Sequence, residues 1–459
     1  MSEEQFKKVI AHAKAYGYVF TSSEIYEGLS AVYDYGQYGV LLKNNLREFW
    51  WKAMVQMEEN IVGLDAAILM HPTTWKASGH TDAFNDPLID NKDSKKRYRA
   101  DVLIEDYVAK IDAKIEKEII KATKRFGEHF DREQFINTNP KVVSYREKCE
   151  TILKRMVKSL EADDLKDVKK MIEELGIVCP VSGSKNWTDV RNFNLMFATK
   201  MGASSEDTKN LFLRPETAQG IFVNFLNVQK TSRMKLPFGI AQTGLGAENY
   251  RFHNHEKLAH YADAAVDIEF KFPFGFKELE GIHSRTDFDL KSHQEYARKK
   301  LQYFDPIENT HYIPYVIETS IGLDRLFLAV FSKSLQEEKL ENNTIRTVLK
   351  IPAVLAPIKA AILPLVKKDG LPEIARNIFN DLKKYFYIQY DEKDAMGKRY
   401  RRQDAIGTPF CITVDHQTLN DQTVTIRHRD TMAQERVGVK DLKNIIWKQV
   451  NMEAINKTY

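Results

Sequence analysis

The sequence predicts an α+β protein of two or three domains, on three observations. The chain has 459 residues, more than one hydrophobic core organises. Apolar residues keep a helical period through one long stretch and a strand period in others. After Pro352 and Pro357, strand-like and helix-like segments alternate, which indicates a small α/β domain with a mixed sheet. The expected organisation is a larger domain over 1–350, interrupted by a helical insertion over 102–176, and a second domain over 351–459.

Each element follows from local pattern. Ser22 and Ser23 before Glu24 form a helix N-cap, and Gly36 ends that segment. Val40, Leu42, Leu46, Phe49, Trp50 and Met54 make one stripe of a long helix. In the insertion, Val108, Ile111, Ile115, Ile119 and Phe126 step by threes and fours, as do Leu165, Val168, Ile172 and Leu175. Asn139-Pro140 breaks that region and Gly176 stops it.

Composition narrows the function classes. Hydrophobic content of 43% and charged content of 29% describe an ordinary soluble globular chain. No apolar run approaches the ~18 residues of a membrane span, so no membrane partner is expected. The start, MSEEQFKK, lacks the apolar stretch of a signal peptide. Cys149, Cys179 and Cys411 are few and scattered, which fits a reducing cytoplasm. The net charge of +4 permits a nucleic-acid partner without arguing for one.

Three stretches carry chemistry. In FLRPETAQGIFVNFLNV, a strand delivers Arg214 and Glu216 to a Pro-fixed turn, and a helix follows with Ile221, Phe222 and Phe225 inward. The two charges either pair with one another or leave Glu216 to accept a cation. In FKFPFGFKELEGIHSRTDFDL, Phe270, Phe272, Phe274 and Phe276 alternate as a half-buried strand. Glu278 and Glu280 would then share a face, ~7 Å apart, suited to general acid–base work or to Mg²⁺ and a ribose. In YVIETSIGLDRLFLAVF, Tyr315 to Ile317 read as a strand and Leu323, Leu326, Phe327 and Val330 as a buried helix face. Glu318, Ser320, Gly322, Asp324 and Arg325 lie at the junction, either as a buried ion pair or as a ligand site. No metal site made by the protein alone is expected. Position 182 is Ser where a C-x-x-C knuckle would need Cys, which leaves Cys179 a buried apolar residue, and His283 and His293 lack a third ligand.

ETSIGLDR resembles motif 3 of the class II aminoacyl-tRNA synthetases in its glycyl form. LRPETAQGIF, YDYGQYGVLLKNNL, SGH at Ser78–His80 and the Y-R-x-D around Arg99 resemble the same family. The resemblance implies a class II antiparallel sheet flanked by helices, with a helical insertion and a C-terminal α/β anticodon-binding domain. It implies glycine–tRNA ligation: glycine and ATP give glycyl-adenylate, and the glycyl group passes to tRNA(Gly). Residue by residue, it puts Glu216 at the glycine ammonium and Glu318, Thr319, Ser320, Ile321 and Gly322 at the substrate, with Arg99 nearby. It puts Glu278, Leu279, Gly322, Leu323, Asp324 and Arg325 at ATP, with Mg²⁺ as companion, and Arg325 against the adenine. It implies a homodimer through the YDYGQYGVLLKNNL region. Lys398, Arg399, Arg401 and Arg402, interleaved with Tyr400, suit tRNA phosphate and base stacking.

One departure stands out. Relatives follow the strand resembling MKLPFGIAQTG with F-R-N-E, the start of motif 2, whose Arg grips the α-phosphate. Here Thr243-Gly244 runs straight into LGAENYRFHNHEKLAHYADAAVDIEF, and F-R-N-E occurs nowhere in the chain. Arg251 lies nearby in a context unlike that motif. Either the native protein has residues that this sequence omits, which we favour, or the chain is a catalytically inactive, synthetase-like nucleic-acid-binding protein.

Overall fold

The computed structural model describes residues 3–29, 32–83, 85–127, 130–194, 196–201, 209–243, 262–272, 275–341 and 343–454. Arg251 and Phe274 lie outside these residues. The chain forms two compact units, one from Met1–Ala66, Thr217–Leu245 and Tyr250–Tyr459, the other essentially Ala67–Glu216.

The first unit opens with a helix, Glu3–Ala15, and a hairpin of Val19–Thr21 against Tyr33–Tyr35. The expected cap at Ser22 and Ser23 precedes only a short 3₁₀ turn, Glu24–Tyr26, and Ser23 makes no side-chain capping bond. Gly36 is the N-cap of the long helix Gln37–Trp51. Gly39 lets that helix meet the hairpin, because a Cβ there would fall 1.8 Å from the Tyr18 carbonyl oxygen. Leu42 and Leu46 are buried as the stripe requires, but Val40 is 42% exposed. The helix Leu323–Ser334 packs on this one through Phe327 and Phe331, in a core shared with Val9, Ala13, Tyr18 and Leu349. Burying each of those phenylalanines contributes about 1.5–3 kcal/mol.

The central sheet of this unit is antiparallel: Ala264–Phe272, then Gly275–Thr286 in the middle, then Val316–Ile321. The run of alternating phenylalanines is therefore a hairpin, not one strand, since pairing stops at Phe272 and resumes at Gly275. Gly275, at φ 112°, supplies a backbone conformation that other residues rarely adopt. The strand near Tyr315 also runs further than its β-branched start indicates, through Glu318, Thr319 and Ser320 to Ile321. A separate parallel pair joins Ile61–Leu64 to Gly239–Gln242.

The C-terminal part of the unit is a five-stranded mixed sheet in which Ala360–Pro364 pairs in parallel with both Ile388–Tyr390 and Phe410–Val414. Thr423–His428 and Gln434–Gly438 extend it antiparallel. Side chains alternate faces as strands require. Ala360, Ile362 and Ile412 pack against the helices Leu371–Leu382 and Leu442–Val450. Ala361, Leu363 and Cys411 meet Met396 and Tyr400 of the helix Met396–Ala405.

The second unit holds the helices of the insertion. Ala100–Phe126 buries Val108, Ile111, Ile115 and Ile119 as the periodicity predicts, while Phe126 is 52% exposed. Asn139 and Pro140 start a helix as well as ending one. The Asn139 side chain accepts from the backbone N–H of Lys141 and Val142, both at 3.1 Å, at the head of Pro140–Glu161. Gly176 sits at φ 65° just beyond the helix Leu165–Glu174. Two three-stranded sheets complete the unit, one centred on Asn85–Asn91 and one on Lys209–Leu213. Among the described residues no helix is long and apolar enough to cross a membrane.

Candidate active site

The central sheet of the first unit assembles most of the predicted site, and a β-bulge decides how. Glu269 pairs with Glu278 and Ile268 with Glu280, so Leu279 is an extra residue on the middle strand. An extra residue reverses the alternation beyond it. Glu278 and Glu280 therefore face opposite sides, which corrects the expectation that they share a face. Glu278 lies with Gly281, His283, Glu318 and Ser320, while Glu280 lies with Ile282 and Thr319. The contacts agree: Thr319 Oγ1 donates to Glu280 Oε1 at 2.6 Å, and a Cβ on Gly281 would sit 3.4 Å from Glu278 Oε1. Of the predicted substrate stretch, Glu318 and Ser320 thus present side chains to one face, and Thr319 and Ile321 to the other.

Arg325 reaches Glu278 from the start of the next helix. Its guanidinium donates to the Glu278 backbone carbonyl at 2.5 Å and lies 3.9 Å from the Glu278 carboxylate. Gly322 caps that helix at φ −75°, a conformation any residue adopts. Leu323 packs into the core, and Asp324 is held at 2.5 Å by both Tyr35 Oη and Lys43 Nζ. Asp324 thereby ties the motif to the N-terminal hairpin and helix.

Behind the Glu318 face lies a buried network that sequence reasoning did not single out. Arg285, 4% exposed, donates through Nε and Nη2 to Asp289 at 2.7 and 3.1 Å and through Nη1 to Glu318 Oε2 at 2.7 Å. Gln219 donates to Asp289 at 3.2 Å and accepts from His293 Nε2 at 2.9 Å. His293 is thus a buried structural histidine. His283 Nδ1 lies 3.8 Å from Glu318 Oε2, an ion-pair rather than a hydrogen-bond distance. The Glu318 carboxylate beside it raises the His283 pKa above the ordinary imidazole value, against the opposing pull of burial. A signal was available: Arg285 and Asp289 stand four apart where a strand passes into a helix.

Glu216 and Arg99 belong to the second unit. Arg214 follows the strand Lys209–Leu213 and is 2% exposed, and Glu216 closes the turn. The side chain of Glu216 is 33% exposed and lies 3.4 Å from His80 Nε2. Arg99 ends the strand Lys96–Arg99, and its guanidinium forks onto Asp101 in the first turn of the next helix. Cys179 is buried as expected, but its sulfur lies among hydroxyls, 3.3 Å from Ser94 Oγ and 3.2 Å from Tyr98 Oη. Among the described residues no cluster of three or more His, Cys, Asp or Glu could hold a metal ion.

The basic helix Met396–Ala405 divides its cations. Lys398 and Arg401 are exposed. Arg402 pairs with Asp391 at 2.7 Å and Asp394 at 3.2 Å. Arg399 is 3% exposed, and its guanidinium donates to the backbone carbonyls of Lys393, Asp394, Pro364 and Glu392. That corrects its expected role at tRNA: its donors are occupied inside the fold.

Comparison with known proteins is consistent with this geometry. The glycyl-tRNA synthetase insertion domain 1 matches residues 86–195, and an anticodon binding domain matches residues 359–449. The glycine–tRNA ligase of Chlorobaculum tepidum is 43% identical over 485 residues, covering 94% of this chain and 97% of that protein. That of Macrococcus caseolyticus is 43% identical over 504 residues, covering 98% of this chain and 100% of that protein. The 504 aligned positions exceed the 459 residues here, so part of that relative has no counterpart in this chain. Among solved structures, a prolyl-tRNA synthetase of Giardia lamblia in complex with prolyl-adenylate superposes with a TM-score of 0.53 at 12% identity, over 99% of this chain and 80% of that one. That likeness gives the class II fold.

Proposed function

The chain belongs to the glycine–tRNA ligases, and from that premise we propose how its residues divide the reaction. The enzyme activates glycine with ATP to glycyl-adenylate and transfers the glycyl group to the 3′ end of its tRNA. The observation that carries the residue assignment is the single sheet face gathering Glu278, Glu318 and Ser320, with Arg325 reaching Glu278.

Glu318 accepts a hydrogen bond from the glycine ammonium and Ser320 orients the substrate from the same face; for Glu216 the resemblance assigns the role of ammonium acceptor. Arg99 serves the substrate from its fork with Asp101. Arg325 lies flat against the adenine of ATP, steered by its bonds to Glu278. Gly322 and the backbone around Leu279 give the nucleotide room. Leu323 and Asp324 set the turn rather than touch the nucleotide through their side chains. Mg²⁺ accompanies ATP, and Glu278, a hard oxygen donor on the correct face, would hold it, supplying charge neutralisation at the phosphates. Glu280 faces away from that role. Catalysis is positioning and stabilisation of phosphate charge.

Lys398 and Arg401 are the exposed cations on the C-terminal domain's basic helix for tRNA phosphate contact. We read the protein as a cytoplasmic homodimer, with domains over 1–350 and 351–459 and the helical insertion at 102–176. The dimer reading is supported by Ile25 at 87%, Tyr26 at 80%, Leu29 at 58% and Tyr33 at 59% exposure, apolar residues grouped on the N-terminal hairpin. The compartment is supported by Cys149, Cys179 and Cys411, all free.

The test is ATP–pyrophosphate exchange dependent on glycine, with alanine and serine as controls. Exchange with glycine alone is expected. In a chain without F-R-N-E it would also mean that another cation meets the α-phosphate. No exchange in folded protein that still binds tRNA would overturn the assignment.

A further inference from the structure

His80, the last residue of the SGH stretch, is buried at 5% exposure in the same unit as Glu216. The short helix Pro72–Ala77 buries Trp75 completely and ends at Ser78. Gly79, at φ 78°, then turns the chain so that His80 comes back over the helix it has just left. The Trp75 ring stands against the imidazole at 5.4 Å, nearly perpendicular at 72°. Ser78 Oγ is 2.7 Å from His80 Nδ1 and also donates to the Trp75 carbonyl at 3.3 Å. The ring is thus fixed by packing on one side and by a hydroxyl at its near nitrogen. Its far nitrogen, Nε2, lies 3.4 Å from Glu216 Oε1.

We propose that His80 is a positioning residue for Glu216, holding that carboxylate where it accepts from the ammonium of glycine. The proposal rests on the reading of Glu216 given above. At 3.4 Å the contact is an ion-pair approach rather than a formed hydrogen bond, and because an ionised carboxylate only accepts, Nε2 must carry the proton for the two to attract. Both arrangements of the Ser78 hydroxyl allow that: donated to Nδ1 it leaves a neutral ring with its proton on Nε2, and donated to Trp75 it accepts from a doubly protonated ring. A glutamate on a turn samples many rotamers, and each one lost on binding weakens the complex. A buried, doubly braced donor removes that freedom before glycine arrives. Packing alone would not do so, because an apolar side chain of similar size fills the space without orienting an oxygen.

The experiment titrates a non-hydrolysable glycyl-adenylate analogue, and separately ATP alone, into the full chain and its variants. Glu216→Gln is the reference. His80→Leu is expected to weaken the analogue about ten- to hundredfold, the size of a lost hydrogen bond to a charged group, while ATP binding stays within about twofold. His80→Gln, which returns an N–H near Nε2, is expected to recover most of the loss. Should His80→Leu fail to fold, Ser78→Ala releases only the near nitrogen and carries the same prediction at roughly threefold. Weakening of analogue and ATP together, or no rescue by His80→Gln, would assign His80 a packing role and overturn the proposal. So would an unchanged analogue affinity in His80→Leu when Glu216→Gln is impaired. If Glu216→Gln itself binds normally, the fault lies in the reading of Glu216 instead.

Discussion

The first unit contains two clusters in which arginines grip carboxylates, and they differ in the balance of charge. Beneath the C-terminal sheet, Asp404 accepts from Arg346 at 2.8 Å and from both ends of the Arg427 fork at 2.8 and 3.0 Å. Glu338, the outer carboxylate of that cluster, is matched in turn by Arg346 and Lys350. Under the central sheet, by contrast, Arg285 serves Asp289 and Glu318, with Asp267 and Glu318 flanking His283. The first cluster has a cation for every carboxylate and braces the fold. The second is rich in carboxylates on the face we assign to glycine, where a positively charged ammonium would complete it. Burial of an ion pair is weak evidence of purpose, whereas the surplus of one sign is informative.

The two clusters should part most sharply at Asp404. Replacing it with alanine leaves Arg346 and Arg427 facing each other out of water, at a cost of about 3–5 kcal/mol in urea unfolding. Glycyl-adenylate analogue affinity of the folded fraction should be unchanged; a fall in affinity would merge the two clusters into one functional class. Glu318→Gln should do the reverse. It should weaken the analogue by about 1.5–3 kcal/mol and lower stability by less than Asp404→Ala does. The smallest effect is read from the His283 resonance in a proton NMR titration. Its folded pKa lies above the ordinary value of 6.5, chiefly because of Glu318. The pair therefore contributes its full stability below that ordinary value and loses it as pH rises through the raised one. Glu318→Gln should bring the titration down toward the ordinary value; a His283 that does not move would detach it from the cluster.

Much of this was legible in the chain. The helical insertion and the strand–helix order of the C-terminal domain follow from period and local residue type, whereas Glu318 and Ser320 lie in a strand that the β-branched run ends too early, at Ile317. The opposite facing of Glu278 and Glu280 did not follow from these, because the bulge at Leu279 exists only in the register with the neighbouring strand. Arg399 and Arg401 look alike in sequence, yet one is buried and one exposed. There the helical period held the answer: Met396, Arg399, Tyr400 and Gln403 fall on one face, and the apolar members of that set mark it as inward. Arg285 sits within FKFPFGFKELEGIHSRTDFDL without standing out there, since its partners Asp289 and Glu318 come from a helix and another strand that only folding brings to it.

The extra residue at Leu279 also makes the middle strand sensitive to length in a way it is not to composition. From Gly281 to Arg285 every side chain takes its side from the count of residues between it and the hairpin turn. Losing Leu279 would let Glu280 follow Glu278 in an unbroken ladder with every later side chain on its present side, whereas gaining one more residue held in the ladder would invert that parity, trading Gly281, His283 and Arg285 for Ile282 and Ser284 on the working face. In this strand, substitutions are local events, while a single-codon insertion would rewrite the whole surface.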